Sequence, residues 1–334
     1  MESARQTFLF YWSTWAAKHV WGVSYLKKLT PFLYSLNSDT SLETVTQCPV
    51  CGNTTFSPYL SCEDYLVSNQ KFDILECQRC SFRLTNPRPD SNSIVAYYKS
   101  DQYVSHNDNG GGLINTAYRL VRNYTLRSKL NLINKLTGKP GKILDVGCGT
   151  GAFLQSCREG GWSVTGMEPD PDARAIAREK LQADIKPNLE ALAGAETFDI
   201  ISLWHVLEHI PNLNESIIQL RELLREQGTL LIAVPNSDSY DAQLFKQYWA
   251  AYDVPRHLHH FTPSTIEPLF NKHGFRLVKQ LPMVFDAFYI AMLSTCYQTG
   301  KTDYLKSIQV GLSSNAKAQK TGNSSSLIYL LKKA

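Results

Sequence analysis

The chain has 334 residues, with 34 Lys and Arg against 30 Asp and Glu. The length allows one full domain with a smaller companion, and the near balance of charge gives no indication of nucleic-acid binding. Eight cysteines, four of them in two close pairs, favour a metal site in a reducing, cytoplasmic compartment over disulfides.

Residues 1–46 are predicted to be an amphipathic extension. Aromatic and apolar residues recur at helical spacing from Phe8 to Leu26, which indicates a helix or helix pair. The longest uncharged run, Gln6 to Ala17, is too short to cross a bilayer and makes a poor signal peptide. We interpret residues 1–37 as a loosely attached extension or as upstream sequence included by a wrong start, with a surface-lying membrane contact or a dimer helix as the alternatives.

Residues 47–90 contain two CxxC pairs with the spacing of a zinc ribbon. Two residues between the cysteines let both sulfurs of a pair face one ion, and Gly52 permits the left-handed turn that follows the first pair. Four thiolates leave no open coordination position, so the predicted zinc is structural. The predicted ligands are Cys48, Cys51, Cys77 and Cys80.

Residues 91–125 are predicted to be linker and lid helices. Helices are expected over Ser93–Lys99 and Leu113–Leu136, separated by the glycine-rich loop Asn107–Gly112. Tyr97, Tyr98 and Tyr103 are candidates for lining a lid, with aromatic core packing as their more ordinary role.

Residues 142–151 form the stretch on which the functional interpretation depends. An apolar run with Ile143 and Leu144 breaks into three glycines at alternate positions, which predicts a buried strand, a tight turn and a helix. Such a turn is shared by nicotinamide, flavin and methyl-donor sites. Asp145, at the end of the strand, disfavours a pyrophosphate and suits a cofactor with cationic groups. Glu168, at the end of the next strand, can accept hydrogen bonds from ribose hydroxyls.

Three successive stretches resemble the class I S-adenosylmethionine-dependent methyltransferases, especially the ubiquinone-pathway O-methyltransferases: 145–151, Glu168, and Phe198–Ile210. The resemblance implies that the glycine loop holds the methionine part of S-adenosylmethionine, Glu168 holds the ribose, and the end of the fourth strand faces the methyl group. The implied cofactor-binding residues are Asp145, Gly147, Cys148, Gly149, Gly151, Glu168, Pro169, Leu203 and Trp204.

Residues 126–334 are predicted to be the α/β catalytic domain, with a cap insertion at about 236–300. Strands are expected at 142–146, 163–168, 183–186, 198–203 and 229–234, alternating with helices at 151–159, 171–181 and 212–225. The resemblance adds a sixth strand near 275–279, a seventh near 325–331 and a Rossmann-like sheet ordered 3-2-1-4-5-7-6. The polar stretch 313–325 is predicted to be an exposed loop.

Histidines near the predicted crevice are the candidate bases, because an imidazole titrates near neutral pH. His205 is the first candidate base and His209 the alternative, while Glu208 would orient a histidine or contact the substrate. His257 and His260 are candidate substrate contacts.

The sequence therefore predicts a methyltransferase with a small-molecule acceptor, such as a sugar, a quinone-like ring or a related metabolite, and favours an oxygen acceptor over carbon or nitrogen. A zinc-ribbon RNA methyltransferase and a non-catalytic cofactor-binding scaffold are the alternatives. The identity of the acceptor lies outside what the sequence records.

Overall fold

The computed structural model describes residues 41–98, 113–194 and 196–334, with the backbone alone for 113–121. The predicted N-terminal helix, the loop at 107–112 and Tyr103 lie outside these residues. Within the described part, no helix is both long and apolar enough to traverse a bilayer.

The N-terminal part is a small antiparallel structure around the two cysteine pairs. A two-stranded sheet joins β1 (Leu42–Glu43) to β5 (Arg88–Pro89). A second sheet contains β2 (Phe56–Glu63), β3 (Lys71–Cys77) and β4 (Arg83–Thr85). A single 3-10 turn, Ile94–Tyr98, follows where a helix was predicted.

The fourth strand of this second sheet comes from the catalytic domain. It is β10 (His259–His260), and the sheet order is β10-β4-β3-β2. His259 pairs with Leu84, and His260 pairs with Arg83. We call residues 41–98 the ribbon and the four strands the ribbon sheet.

The main sheet is preceded by helix α1 (Leu113–Thr137), and its parallel part alternates with helices. Its first strand along the chain, β6, lies between β7 and β8 and has Ile143, Leu144 and Val146 fully buried, as expected for a strand covered by helices on both faces. The elements in chain order are β6 (Lys142–Val146), α2 (Ala152–Glu159), β7 (Ser163–Met167), α3 (Pro171–Leu181), β8 (Phe198–Trp204), α4 (Leu213–Leu223) and β9 (Leu224–Pro235).

The remaining elements close the sheet with two antiparallel strands. They are α5 (Tyr240–Phe245), β10, α6 (Pro263–Asn271), β11 (Phe275–Pro282), α7 (Asp286–Thr299), α8 (Tyr304–Thr321) and β12 (Ser326–Lys333). The order β11-β12-β9-β8-β6-β7 corresponds to 6-7-5-4-1-2 of the predicted order. The predicted segment 236–300 includes α6 and β11, and β11 belongs to the main sheet.

Two sequence predictions were wrong. The strand expected at 183–186 is a single parallel bridge between Met167 and Lys186, in which the Lys186 N–H donates to the Gly166 carbonyl oxygen and the Lys186 carbonyl oxygen accepts from the Glu168 N–H. The loop expected at 313–325 is mostly helix, since α8 continues to Thr321 before Gly322 ends it at a φ of 79°. Ser314 and Ala318 are buried, whereas Ala316 and Lys317 between them are exposed.

The ribbon and the catalytic domain share one hydrophobic core. Phe82 and Leu84 of the ribbon belong to the same buried cluster as Leu207 and Phe261. The ribbon is therefore packed as part of the fold that surrounds the crevice.

Candidate active site

The glycine turn after β6 has the backbone shape that the sequence predicts. Gly147, Gly149 and Gly151 have φ values of 70°, 55° and 75°, a region that L-residues rarely adopt. A Cβ atom on Gly147 would lie 2.5 Å from a Val206 methyl group, whereas a Cβ on Gly149 would meet no atom of the described part of the chain within 4 Å. The first glycine thus permits close packing, and the second leaves open space beside the backbone.

Glu168 lies across this turn at the end of β7. One carboxylate oxygen accepts a hydrogen bond from the Gly149 N–H at 2.7 Å, and the other accepts one from the Asp170 N–H at 3.0 Å. Pro169 is exposed next to it, and the Arg174 side chain binds its carbonyl oxygen. A carboxylate held between the turn and the end of a strand is suited to ribose hydroxyls.

The other predicted cofactor residues are more buried. Asp145 accepts a hydrogen bond from the Ser202 hydroxyl at 2.6 Å, and burial raises the pKa of its carboxyl. Asp145 thus presents less negative charge to a cofactor than the sequence suggested. Cys148 is buried, and so is Leu203, whose side chain belongs to the core.

Trp204 and the buried Lys129 pack against each other near Asp145. The Lys129 ammonium lies 4.1 Å from the centre of the Trp204 ring. Burial lowers the pKa of Lys129, while the charges of Asp145 and Asp286 oppose that shift. Sequence reasoning missed Lys129, because a single lysine within a helix carries no recognisable motif.

His205 lies between two carboxylates at the mouth of β8, in a left-handed conformation with a φ of 56°. Its Nδ1 lies 3.4 Å from Glu208 and its Nε2 lies 3.2 Å from Asp286. Burial disfavours the imidazolium, but the adjacent carboxylates of Asp286 and Glu208 outweigh burial and raise the pKa of His205 to about 9. Asp286 was not predicted, since it comes from the distant start of α7.

His209 is held differently. Its Nδ1 lies 2.9 Å from the Arg256 carbonyl oxygen and 2.9 Å from the Tyr98 hydroxyl. Since a carbonyl only accepts, the bond to Arg256 places the proton on Nδ1 and leaves Nε2 as the basic nitrogen. Burial, followed by the charge of His257, lowers the pKa of His209 to about 4. Tyr98, a predicted lid residue, thus contacts a candidate base.

His257 is buried beside His209, and His260 is buried near His257. The rings of His209 and His257 are 4.7 Å apart, and His257 Nδ1 lies 2.8 Å from the Ala251 carbonyl oxygen. His257 therefore also carries its proton on Nδ1. His260 Nε2 lies 3.0 Å from the Thr85 hydroxyl. We call Glu208, His209, His257 and His260 the histidine cluster.

Glu208 is the acidic member of the cluster. Its side chain is 1% exposed, and within the described residues neither carboxylate oxygen accepts a hydrogen bond, although His205 lies 3.4 Å away. Burial would raise the pKa of this carboxyl, but His205 and the neighbouring histidines lower it. One potential ligand atom from each of Glu208, His209 and His257 lies within 4.8 Å of the other two, a grouping that suits either proton transfer or a divalent ion.

The four predicted zinc ligands also come together. Their sulfur atoms all lie within 4.8 Å of one another, with 3.5 Å between Cys48 and Cys80 and 3.6 Å between Cys51 and Cys77. Four sulfurs around one zinc ion would stand about 3.8 Å apart. The residues present therefore fit a tetrahedral zinc ion.

The local backbone supports an ionised sulfur at Cys77, while burial raises the pKa of the Cys48 thiol. Gly52 has a φ of 74° and Ser81 a φ of 58°, so each CxxC turn closes in the left-handed region. Burial opposes ionisation of the Cys77 thiol, but backbone N–H groups of Arg79 and Cys80 outweigh burial and lower its pKa to about 6. All eight cysteines of the chain are free of disulfides.

Comparison with known proteins identifies the class of the main domain. A family model described as a methyltransferase domain matches residues 118–280. This range contains the glycine turn, Glu168 and most of the main sheet. This match, together with the strand order of the main sheet, supports a class I S-adenosylmethionine-dependent methyltransferase domain at residues 118–280.

Among curated relatives, the chain is similar to ubiquinone biosynthesis O-methyltransferases. It is 31% identical to that of Glaesserella parasuis serovar 5 (strain SH0165) over 142 residues, which are 38% of this chain and 59% of the relative. It is 27% identical to that of Rhodopseudomonas palustris (strain TIE-1) over 160 residues, which are 43% of this chain and 62% of the relative. The chain thus spans about three fifths of the length of these relatives.

Solved structures are similar at lower identity. Magnesium protoporphyrin IX methyltransferase from Synechocystis PCC 6803 overlaps with a TM-score of 0.48 at 14% identity, covering 73% of this chain and all of that one. The 1,6-didemethyltoxoflavin-N1-methyltransferase of Burkholderia thailandensis overlaps with a TM-score of 0.42 at 18% identity, covering 63% of this chain and 78% of that one.

Proposed function

We propose that the chain binds S-adenosylmethionine and transfers its methyl group to a small-molecule acceptor, with an oxygen acceptor favoured. The observation that carries this proposal is the adjacency of two preorganised groups on one sheet. The glycine turn and Glu168 lie at the ends of β6 and β7, and the histidine cluster begins directly after β8. Ligands of such sheets bind beyond the carboxyl ends of the strands.

The cofactor would be held by the glycine turn, with Glu168 at the ribose and Asp145, Cys148, Pro169, Leu203 and Trp204 around it. When bound, it supplies an electrophilic methyl group on a sulfonium. The protein's part is then to place the acceptor and remove its proton. Sugars, quinone-like rings and related metabolites remain the proposed acceptor classes.

For the base, the electrostatics favour His209 over His205. His205 lies between Glu208 and Asp286, which hold it as an imidazolium at neutral pH. His209 is neutral there, and its Nε2 can accept a proton while Glu208 stabilises the resulting charge. His205 would then orient Glu208, and His257 and His260 would contact the acceptor.

The test is transfer of a deuterated methyl group from labelled S-adenosylmethionine to a panel of catechols, phenols and sugars, read by mass spectrometry. We expect His209→Ala to lower turnover by ~10²-fold or more with unchanged cofactor affinity. His273→Ala, which alters a histidine bound to Asn214 away from the crevice, is the matched control.

Two outcomes would change this proposal. Full turnover in both His209→Ala and His205→Ala would show that neither histidine is the base. Turnover that depends on added Mg²⁺ or Mn²⁺ would replace the base with a metal ion at Glu208, His209 and His257.

We also propose one structural zinc ion per chain at Cys48, Cys51, Cys77 and Cys80. The double variant Cys77→Ser/Cys80→Ser should lose the zinc measured by elemental analysis and expose the ribbon sheet to hydrogen exchange before β6. Cys62→Ser, which changes a buried cysteine outside the cluster, should keep the zinc. Full zinc content in the double variant would show that the ligands are wrong.

A further inference from the structure

The ribbon contacts the histidine cluster through a buried charge network. Arg256 is 1% exposed, and its guanidinium donates to Asp253 at 2.7 Å and to Asp64 at 2.9 Å. Asp253 precedes Arg256 in the same loop, whereas Asp64 belongs to the ribbon, directly after β2. The backbone carbonyl of this same Arg256 accepts the Nδ1–H of His209. Asp64 thus fixes the residue that orients His209.

A second route from the ribbon runs through Thr85, at the end of β4. Its hydroxyl donates to the His257 carbonyl oxygen at 2.7 Å and accepts from His260 Nε2 at 3.0 Å. Its backbone N–H donates to the Leu258 carbonyl oxygen at 3.1 Å. One threonine therefore binds three of the four consecutive residues 257–260, immediately before and within the strand that completes the ribbon sheet.

The two routes end on different histidines. The Asp64 route reaches His209, and the Thr85 route reaches His257 and His260. Contacts that served only to attach the ribbon would not need to converge on the backbone that sets the tautomer and position of these rings. Misplacement of a reacting group by about 1 Å can cost ~10²-fold in rate, so such support bears directly on chemistry.

We propose that the ribbon is the positioning part of the acceptor site, with Asp64 and Thr85 as positioning residues for His209 and His257. The zinc ion, by holding the ribbon, would hold the histidine cluster. The importance for turnover rests on the proposed function, but the positioning itself does not.

The test uses full-length, zinc-loaded protein labelled with ¹⁵N-histidine, whose imidazole resonances report tautomer and hydrogen bonding. Single His→Gln variants assign the resonances. Thr85→Val keeps the branched shape and removes the hydroxyl, so the resonances of His257 and His260 should shift. Thr85→Ser should restore them. Ser57→Ala, which removes a ribbon hydroxyl that bonds within the ribbon, should leave them unchanged.

A second pair of variants tests the other route. Asp64→Asn removes the charge that faces Arg256, and the resonances of His209 should shift. Ser68→Ala removes a side-chain bond to Asp64 in the same turn but leaves the Arg256 contact, so His209 should stay in place. If Asp64→Asn does not fold, the histidine resonances of Thr85→Val alone test the positioning role of the ribbon.

Unshifted cluster resonances in folded Thr85→Val protein would overturn the positioning role. Because the spectra need no acceptor, shifted resonances in a chain that transfers no methyl group would leave the positioning role standing and remove the proposed function. If turnover is found, Thr85→Val should lower kcat at least tenfold and leave the KM for S-adenosylmethionine within twofold, a split that general loss of folded protein would not produce.

Discussion

The two halves of the crevice are built in opposite ways. In the cofactor half, Gly149 and Glu168 are hydrogen-bonded across 19 residues of sequence. In the histidine half, Tyr98 and His209 are 111 residues apart, and Asp64 and Arg256 are 192 apart. The first half depends on a short stretch of backbone, whereas the second exists only when the ribbon, the turn after β8 and the 251–260 loop are all folded together.

The largest expected effect tests whether the histidine half depends on the whole fold. Arg256→Met leaves the buried Asp253 and Asp64 without their cation, and removal of one partner from a buried ion group costs about 3–5 kcal/mol. Chemical unfolding measures this loss of free energy. A cost below about 1 kcal/mol would mean that the network does not hold the two parts together.

Arg83→Met is the matched control for this variant. Arg83 also joins the ribbon to the catalytic domain, but its partners Glu76 and Asp238 are 28% and 38% exposed in their side chains. Solvent can replace much of what these carboxylates lose, so the cost in stability should be smaller than for Arg256.

The next prediction compares the loss of stability caused by alanine at two glycines of the cofactor half. Alanine at Gly147 combines a strained φ with overpacking against Val206, which together cost roughly 2–4 kcal/mol of stability. Alanine at Gly149 meets no neighbour, so it should cost only about 1–2 kcal/mol for its φ but weaken cofactor binding by occupying the open space. Thermal unfolding and calorimetry with S-adenosylhomocysteine measure the two effects. Equal losses of stability would contradict the difference in packing.

The smallest effect concerns affinity alone. Glu168→Ala should weaken cofactor binding by ~1–3 kcal/mol through loss of ribose hydrogen bonds, with the histidine resonances unchanged. Asp170→Ala is the control. It removes a neighbouring carboxylate that caps α3 by accepting from the Ala173 N–H, so cofactor affinity should change less than in Glu168→Ala. Calorimetry with S-adenosylhomocysteine and with NAD measures both. Tight NAD binding by the parent chain, with no heat from S-adenosylhomocysteine, would contradict the cofactor assignment.

The same contrast explains what could be predicted from the sequence. The glycine turn, Glu168 and the cysteine pairs have short spacings that imply their own geometry, and the structure brings each group together. The strand predicted at 183–186 covers only four residues, too few for a distinctive pattern, and only Lys186 bridges to Met167. The stretch 313–325 was predicted to be a loop from its Ser, Lys, Gln and Gly content, but the helix Tyr304–Thr321 includes most of it, since polar composition alone does not exclude a helix.

Residues that are far apart in the sequence and meet only in the folded chain left no comparable pattern in the sequence. His205 was chosen as the first base from its place after a strand, but its ionisation depends on Asp286, which lies on another helix. Arg256 and Asp64 are ordinary residues in the sequence, and only the fold shows that they form one buried group.

The pairing of β4 with β10 also has a consequence for synthesis of the chain. The cysteine pairs can bind zinc as soon as residue 80 has left the ribosome. Thr85 meets His260 only later, because His260 follows it by 175 residues in the chain. At roughly 5–20 residues per second, this leaves one edge of β4 uncovered for on the order of ten seconds or more. During that interval the ribbon sheet has an open edge onto which a neighbouring nascent chain could add a strand.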